Sequence, residues 1–227
     1  MLLDAYGTLL TLEPPAPLLG AALAAAGHRH PAERVRAALR AEVLHYRANH
    51  DRGRDPESLA ALRRECAGVL AGVLGPDVPP PERLAAMLVE SLRFVLLPDA
   101  VAALDGLAAL GVRLAVVSNW DHALPEVLDG LGVLGRFDAV VTSAAVGASK
   151  PDPRIFRRAL ELLEVPAARA LHCGDLPDRD CLGARRAAVR AVLIDRSGAH
   201  PDGPCPRIAG LGELVALVHG DDRFGSG

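Results

Sequence analysis

Several residue types are scarce in this chain, and each shortage closes off a possibility. Of 25 Lys+Arg residues only one, Lys150, is lysine. Glutamine is absent, asparagine occurs only at Asn49 and Asn119, threonine three times, tyrosine twice and tryptophan once, at Trp120. Basic surface positions therefore fall to arginine. The net charge of -3 is too balanced for nucleic-acid binding through bulk charge. The longest apolar stretch, from Val95 to Val117, is broken by Asp99, Asp105 and Arg113, which excludes a membrane span there. The start shows no basic segment followed by an apolar one, so no secretory signal is read. Cys66, Cys173, Cys181 and Cys205 form no C-x-x-C pair, which excludes the usual zinc and redox spacings. Four dispersed cysteines read as reduced, mostly buried thiols, and the expected location is cytoplasmic.

The chain has 227 residues, half of them apolar, enough for one domain with a large insertion or for two small ones. Met1–Asp4 reads as the end of a short buried strand, short enough at its start that the native chain is expected to begin earlier. Residues 14–97 read as four helices, over Ala16–Gly27, Pro31–His50, Pro56–Leu74 and Glu82–Leu97, with no strand among them. In the second, Val35, Leu39 and Val43 recur at helical spacing as a buried face. After Pro98, helical segments alternate with apolar runs of strand length: Arg113–Ser118, Phe137–Thr142, Ala170–Gly174 and Ala191–Asp195. The helices expected there are Val101–Gly111, Leu124–Leu131, Pro153–Leu163, Arg179–Ala188 and Leu211–His219. That alternation predicts an α/β fold, a Rossmann-like parallel sheet covered on both faces. The core would be 1–13 with 98–220, the helical insert 14–97, and 221–227 a flexible tail. An insert after the first strand would stand over the carboxyl ends of the strands, where open α/β sheets bind ligands.

Polar residues gather at those strand ends. They are Asp4-Ala-Tyr-Gly-Thr8-Leu9, Ser118-Asn119, Lys150-Pro-Asp-Pro153, and Gly174-Asp175 with Asp180 beyond. In this order they resemble the four motifs of the haloacid dehalogenase-like (HAD) hydrolase superfamily, and the match spans residues 4–184. The position of the insert resembles the branch with a helical cap after the first strand. The segments Val-Ser-Asn-Trp-Asp and His-Cys-Gly-Asp resemble a subgroup sometimes called REG-2-like.

The resemblance implies roles. Asp4 would attack phosphorus and form an aspartyl-phosphate that water hydrolyses. Thr8, Ser118 and neighbouring backbone N–H groups would hold the oxygens of the transferring group. Asn119 would orient nucleophile or substrate, and Lys150 would set a positive charge against both. Asp4, Asp175 and the Tyr6 backbone carbonyl would bind Mg²⁺, with Asp180 standing behind these ligands or reaching the metal through a water. The partner would be a small phosphorylated or otherwise anionic metabolite, with no nucleic acid and no membrane, and the chain a monomer or homodimer.

Other polar residues take blander readings. His172 reads as a satisfied core histidine and Asp178 as a helix cap. His28 and His30 have no partner in spacing, and Arg34, Arg36, Arg40 and Arg47 read mostly as a solvated face. Trp120 either lines the mouth of a pocket or packs.

One position departs from the family pattern. Phosphatases of the superfamily carry a second Asp two residues after the nucleophile, as acid for the leaving group. Here that residue is Tyr6, whose side chain has an unperturbed pKa of about 10. Three readings follow: a Mg²⁺-dependent phosphatase for good leaving groups, a metal-independent 2-haloacid dehalogenase, or a non-catalytic phosphate- or metal-binding protein. Tyr6 resembles the dehalogenases, whereas Asp175 departs from the Ser-Asn usual in them. Phosphonoacetaldehyde hydrolase chemistry needs a cap lysine, and 14–97 has none. The scarce types Lys150, Asn119, Thr8, Tyr6 and Trp120 all fall at expected strand ends, which marks the site as one still in use.

Overall fold

The computed structural model describes residues 1–220, and the tail expected at 221–227 lies outside the described residues. The chain divides into two compact units, Met1–Thr11 with the chain from Leu96 onward, and Leu12–Val95. These divisions fall within two residues of the sequence boundaries at 13/14 and 97/98. Among the described residues, no helix is long and apolar enough to cross a membrane.

The first unit is built on a six-stranded sheet. Its strands are β1 (Leu2–Leu3), β4 (Ala115–Ser118), β5 (Ala139–Thr142), β6 (Leu171–Gly174), β7 (Arg190–Ile194) and β8 (Arg207–Ile208). Their spatial order is β5-β4-β1-β6-β7-β8, and every pairing is parallel. A parallel sheet must bury both faces under crossover helices, so its strands read as unbroken apolar runs, as Ala115-Val-Val does. β1 lies in the middle, with Leu2 and Leu3 beside Ala115 and Val116 of β4 and beside His172 and Cys173 of β6. The chain turns to opposite sides of β1 for β4 and β6. That reversal opens a crevice at the carboxyl end of β1.

The helices of this unit are α5 (Ala100–Ala109), α6 (Leu124–Gly130), α7 (Ser143–Val146), α8 (Pro153–Leu163), α9 (Leu182–Arg186) and α10 (Leu211–His219). Helix α8 shows how sequence places a functional residue. The Asp152 carboxylate accepts the Arg154 N–H at 2.9 Å and Pro153 occupies the first turn, so the helix starts at a defined point just after Lys150. Its face of Ile155, Phe156, Ala159, Leu160 and Leu163 is buried against the sheet. Each large member contributes roughly 1.5–3 kcal/mol by leaving water.

The second unit packs α1 (Pro15–Ala25), α2 (Ala32–Asn49), α3 (Pro56–Leu74) and α4 (Pro81–Ser91) around leucines such as Leu19, Leu23, Leu62, Leu70 and Leu84. Helix α3 opens with a capping box. The Ser58 N–H donates to the Asp55 carboxylate at 2.8 Å, and the Asp55 N–H donates to Ser58 Oγ at 3.1 Å.

Five sequence expectations change. The fourth helix stops at Ser91 instead of Leu97, because Phe94–Leu96 forms a strand, β3, that pairs with β2 (Leu10–Leu12). These two strands lie where the chain passes from one unit to the other and back. Val43 is 38% exposed, and Glu42 is buried in its place. Steps of four residues drift about 40° each around a helix, so Val43 has rotated about 80° from Val35, whereas Glu42, seven residues on, is only about 20° off. The expected Arg179–Ala188 helix is a π-turn, Pro177–Cys181, followed by the short α9. Neither start has a side-chain cap, so Asp178 does not cap a helix. Finally, Cys181 and Cys205 form a disulfide and only Cys66 and Cys173 remain as thiols, so the reading of four reduced thiols fails, and with it the cysteine argument for a cytoplasmic protein. Tertiary folding brings the two residues together across 24 positions, which spacing does not reveal.

Candidate active site

Asp4 leaves β1 directly into the crevice, held by its N–H on the Cys173 carbonyl of β6 at 2.9 Å. A tight turn follows. The N–H groups of Thr8, Leu9 and Leu10 converge on the Ala5 carbonyl, and the Gly7 N–H meets the Leu10 carbonyl. Gly7 has φ +84°, and a Cβ on it would stand 2.3 Å from an Asp175 oxygen, so only glycine lets the two strand tips approach. Gly174 is equally constrained, because its missing Cβ leaves room for the Asp180 carboxylate. The π-turn delivers Asp180 to that place. The Leu176 N–H donates to Asp180 Oδ2 at 2.9 Å, and the Asp180 N–H donates to the Leu176 carbonyl at 2.8 Å.

One buried network joins these tips. Lys150 Nζ donates to Asp4 Oδ1 at 2.7 Å and to Asp180 Oδ1 at 2.6 Å. Ser118 Oγ donates to the same Asp4 oxygen at 2.9 Å. Asp4 Oδ2 stands outside these bonds. Lys150 is only 4% exposed, so it is not a solvated surface lysine. Burial alone would strip its charge, but Asp180 and Asp4 outweigh that penalty and hold its pKa above the ordinary lysine value. Burial likewise pushes Asp180 up, and the Lys150 ammonium and the His172 ring outweigh it and hold the carboxyl well below the usual range.

Asp175 behaves in the opposite way. Burial, then the charges of Asp4 and Asp180, push its pKa up to about 7. Its Oδ1 is buried and has no hydrogen-bond partner among the described residues. Carboxylate oxygens of Asp4, Asp175 and Asp180 all lie within 4.8 Å of one another. Three carboxylates faced by a single ammonium leave an excess of negative charge, and a hard divalent cation with oxygen ligands fits such a donor set. The Tyr6 carbonyl accepts none of the turn's hydrogen bonds and so remains available as a neutral ligand. Both Asp180 oxygens are already occupied by Lys150, His172 and Leu176, which suits an indirect role better than direct ligation.

The protein-family model for haloacid dehalogenase-like hydrolase matches residues 1–188. The chain belongs to that family.

Among relatives of this HAD-like chain is the haloacid dehalogenase-like hydrolase domain-containing protein 3 of Bos taurus. It is 44% identical over 108 residues, covering 48% of this chain and 42% of that protein. A phosphoserine phosphatase of Thermus thermophilus is 41% identical over 124 residues, covering 54% and 49%. The chain thus spans about half the length of the curated relatives it matches. A crystal structure of a HAD phosphatase from Thermococcus onnurineus superposes with TM-score 0.68 at 25% identity, covering 97% of both chains.

Several expected contacts in this HAD-like site are differently made. Asn119 faces Lys150: its Nδ2 donates to the Lys150 carbonyl at 3.0 Å and its Oδ1 accepts the Lys150 N–H at 2.7 Å. Both ends of its amide are thus engaged with the Lys150 backbone. The Thr8 N–H is engaged in the turn, and Thr8 Oγ1 is buried without a partner among the described residues. The Tyr6 residue is 41% exposed, whereas Trp120 is buried, with its backbone tied to Ser143. His28 and His30 do have a partner, Asp77, which sequence spacing could not show. Arg34, Arg36, Arg40 and Arg47 are exposed as expected. His172 is fully buried, and its bond to Asp180 joins it to the network, beyond a packing role. Arg196 was missed altogether. It pairs with Asp99 at 2.8 and 2.9 Å and donates to the Thr8 carbonyl at 3.3 Å, tying the turn after Asp4 to the start of α5. No sequence signal separates it from the other arginines.

Proposed function

We propose that this chain is a Mg²⁺-dependent phosphohydrolase that acts through an aspartyl-phosphate on Asp4 and favours substrates with good leaving groups. The observation that carries the reading is the opposition of charges at Asp4. One carboxylate oxygen is held by Lys150 and Ser118. The other stands outside that network; carboxylate oxygens of Asp4 and Asp175 lie within 4.8 Å of one another, and Asp175 Oδ1 is buried without a hydrogen-bond partner among the described residues. A relative named as a phosphoserine phosphatase and a neighbour titled as a HAD phosphatase support the same class.

In this reading a carboxylate oxygen of Asp4 attacks phosphorus and the bond to the leaving oxygen breaks. Lys150 and Ser118 keep Asp4 ionised and aimed, and Lys150 offsets charge that builds on the phosphoryl oxygens. Asp4, Asp175 and the Tyr6 carbonyl would hold Mg²⁺, which neutralises phosphate charge when bound. Water then cleaves the acyl-phosphate bond, releasing phosphate and restoring Asp4. Tyr6 cannot protonate a leaving alkoxide at neutral pH, so aryl and acyl phosphates are preferred over alkyl phosphates. The helical unit, 14–97 in the sequence reading, is taken as the cap that selects the substrate.

The test is turnover of p-nitrophenyl phosphate with Mg²⁺. Activity should vanish in EDTA and fall roughly 10³-fold or more in Asp4→Asn. Tyr6→Asp should raise activity on alkyl phosphates. Turnover of 2-chloropropionate that persists in EDTA would replace this reading with metal-free dehalogenation. Mg²⁺ binding with no turnover of either substrate would replace it with a binding role.

A further inference from the structure

We infer that His172 is a positioning residue, which holds Asp180 and through it sets Lys150 against Asp4. The role in turnover rests on the phosphohydrolase reading above. His172 lies in β6 on the strand beside Asp4, with its side chain wholly buried. Its Nε2 is 2.9 Å from Asp180 Oδ1, the oxygen that also accepts Lys150 Nζ at 2.6 Å. A carboxylate oxygen can only accept, so the ring donates from Nε2.

The other ring nitrogen, Nδ1, is buried and has no hydrogen-bond partner among the described residues. The ring meets Phe156 edge-on, with centroids 5.0 Å apart and planes at 85°. A leucine or phenylalanine would suit this surrounding without stranding a polar atom. Packing therefore argues against histidine here, and the N–H aimed at Asp180 argues for it.

The bond matters because of what Asp180 does. The carboxylate occupies the space left by Gly174, where no side chain props it. Three donors fix its orientation: the Leu176 N–H on Oδ2, and Lys150 and His172 on Oδ1. With the His172 donor removed, Oδ1 answers to Lys150 alone. The carboxylate then turns toward the ammonium and draws Nζ away from Asp4. The expected loss lies in the chemical step, with substrate affinity little changed.

The test compares His172→Leu with His172→Gln, whose amide can present a donor near the position of Nε2. With p-nitrophenyl phosphate and Mg²⁺, kcat of His172→Leu should fall about 30-fold with KM nearly unchanged, the scale of a misplaced catalytic group. His172→Gln should recover most of the loss. In an Asp180→Asn background, His172→Leu should add little, because the two act through one contact. Long-range ¹H–¹⁵N spectra of the imidazoles should place the His172 proton on Nε2 in the unaltered protein, whether or not it turns over substrate. A folded His172→Leu with unaltered kcat, a Gln variant as impaired as Leu, additive losses, or a proton on Nδ1 alone would each overturn the inference. An unaltered protein inactive on aryl phosphate would overturn the phosphohydrolase reading instead, and the spectrum would then decide whether His172 donates to Asp180.

Discussion

The two units bury polar groups in different ways. In the sheet unit, Asp4, Lys150, Asp180 and His172 are buried and linked into one hydrogen-bonded network. In the helical unit, some buried polar groups are instead tied to the backbone of their own turn. Ser91 Oγ donates to the Leu88 carbonyl at 2.7 Å, and His50 Nδ1 lies 3.1 Å from the Arg47 carbonyl. Its ion pairs, Arg36–Glu33 and Arg52–Glu65, lie at the surface. The difference follows from geometry. Parallel strands end side by side, so residues far apart in sequence converge on one point. A helix spreads its polar positions along a face, where water and the neighbouring turn satisfy them one at a time. Exposed pairs of that kind contribute little, while removing one partner of a buried pair strands the others.

The sharpest way to break this contrast is at Lys150. Lys150→Arg keeps the charge, but a planar guanidinium cannot stand as a point charge between Asp4 and Asp180. We expect kcat on aryl phosphate to fall roughly 10²–10³-fold, the scale of a lost oxyanion donor. Near-normal activity would show that charge alone suffices and that the network is not geometric.

Removing the disulfide should act on stability. Cys205→Ser opens a link that closes 24 residues of chain, and denaturant titration should show a loss of about 3 kcal/mol. An unchanged midpoint would mean that the two cysteines are not bonded in solution.

The acidic trio predicts a pH dependence. Because the folded pKa of Asp175 is raised to about 7, its contribution to stability is fully present below the unfolded value near 4. It is lost as pH rises through 7. Metal-free protein should therefore gain stability as pH falls from 8 to 5.5 as far as Asp175 governs it. Mg²⁺ should raise the melting temperature more at pH 8 than at pH 5.5, read by thermal melts with and without EDTA. Equal Mg²⁺ effects at both pH values would argue against Asp175 as a ligand.

The smallest effect belongs to the helical unit. Burial raises the pKa of Glu42, against the opposing contact with Cys66. Its stabilising contribution is thus lost as pH rises through that raised value. Glu42→Gln should stabilise the protein by up to about 1 kcal/mol at pH 8 and leave kcat unchanged. A large loss of activity would place Glu42 in the reaction and end the contrast between the units.

Much of the site was legible because the strand tips are read in order along the chain. Asp4, Ser118 and Asp175 each end or follow an apolar run, Lys150 and Asp180 lie in the segments that follow such runs, and a parallel sheet brings these ends together. Helices α3, α8 and α10 end where their periodicity and caps require, at Leu74, Leu163 and His219. Less legible were features set by partners. Asn119 turned to the Lys150 backbone, β3 formed because β2 was there to pair with it, and Cys181 found Cys205.

What the sequence by itself determined was the alternation of strand and helix, the order of the strand tips and the rarity of the residues placed on them. These are local properties, carried by period, cap and composition. Only the tertiary structure decided which polar atoms share a hydrogen bond and which are left without one. It turned a core histidine into a donor to Asp180, a lone lysine into a buried bridge, and Asp175 into a carboxyl with one buried oxygen that has no hydrogen-bond partner among the described residues. Those outcomes depend on distances of about 3 Å between residues as many as 146 positions apart in the chain, a scale no one-dimensional pattern records.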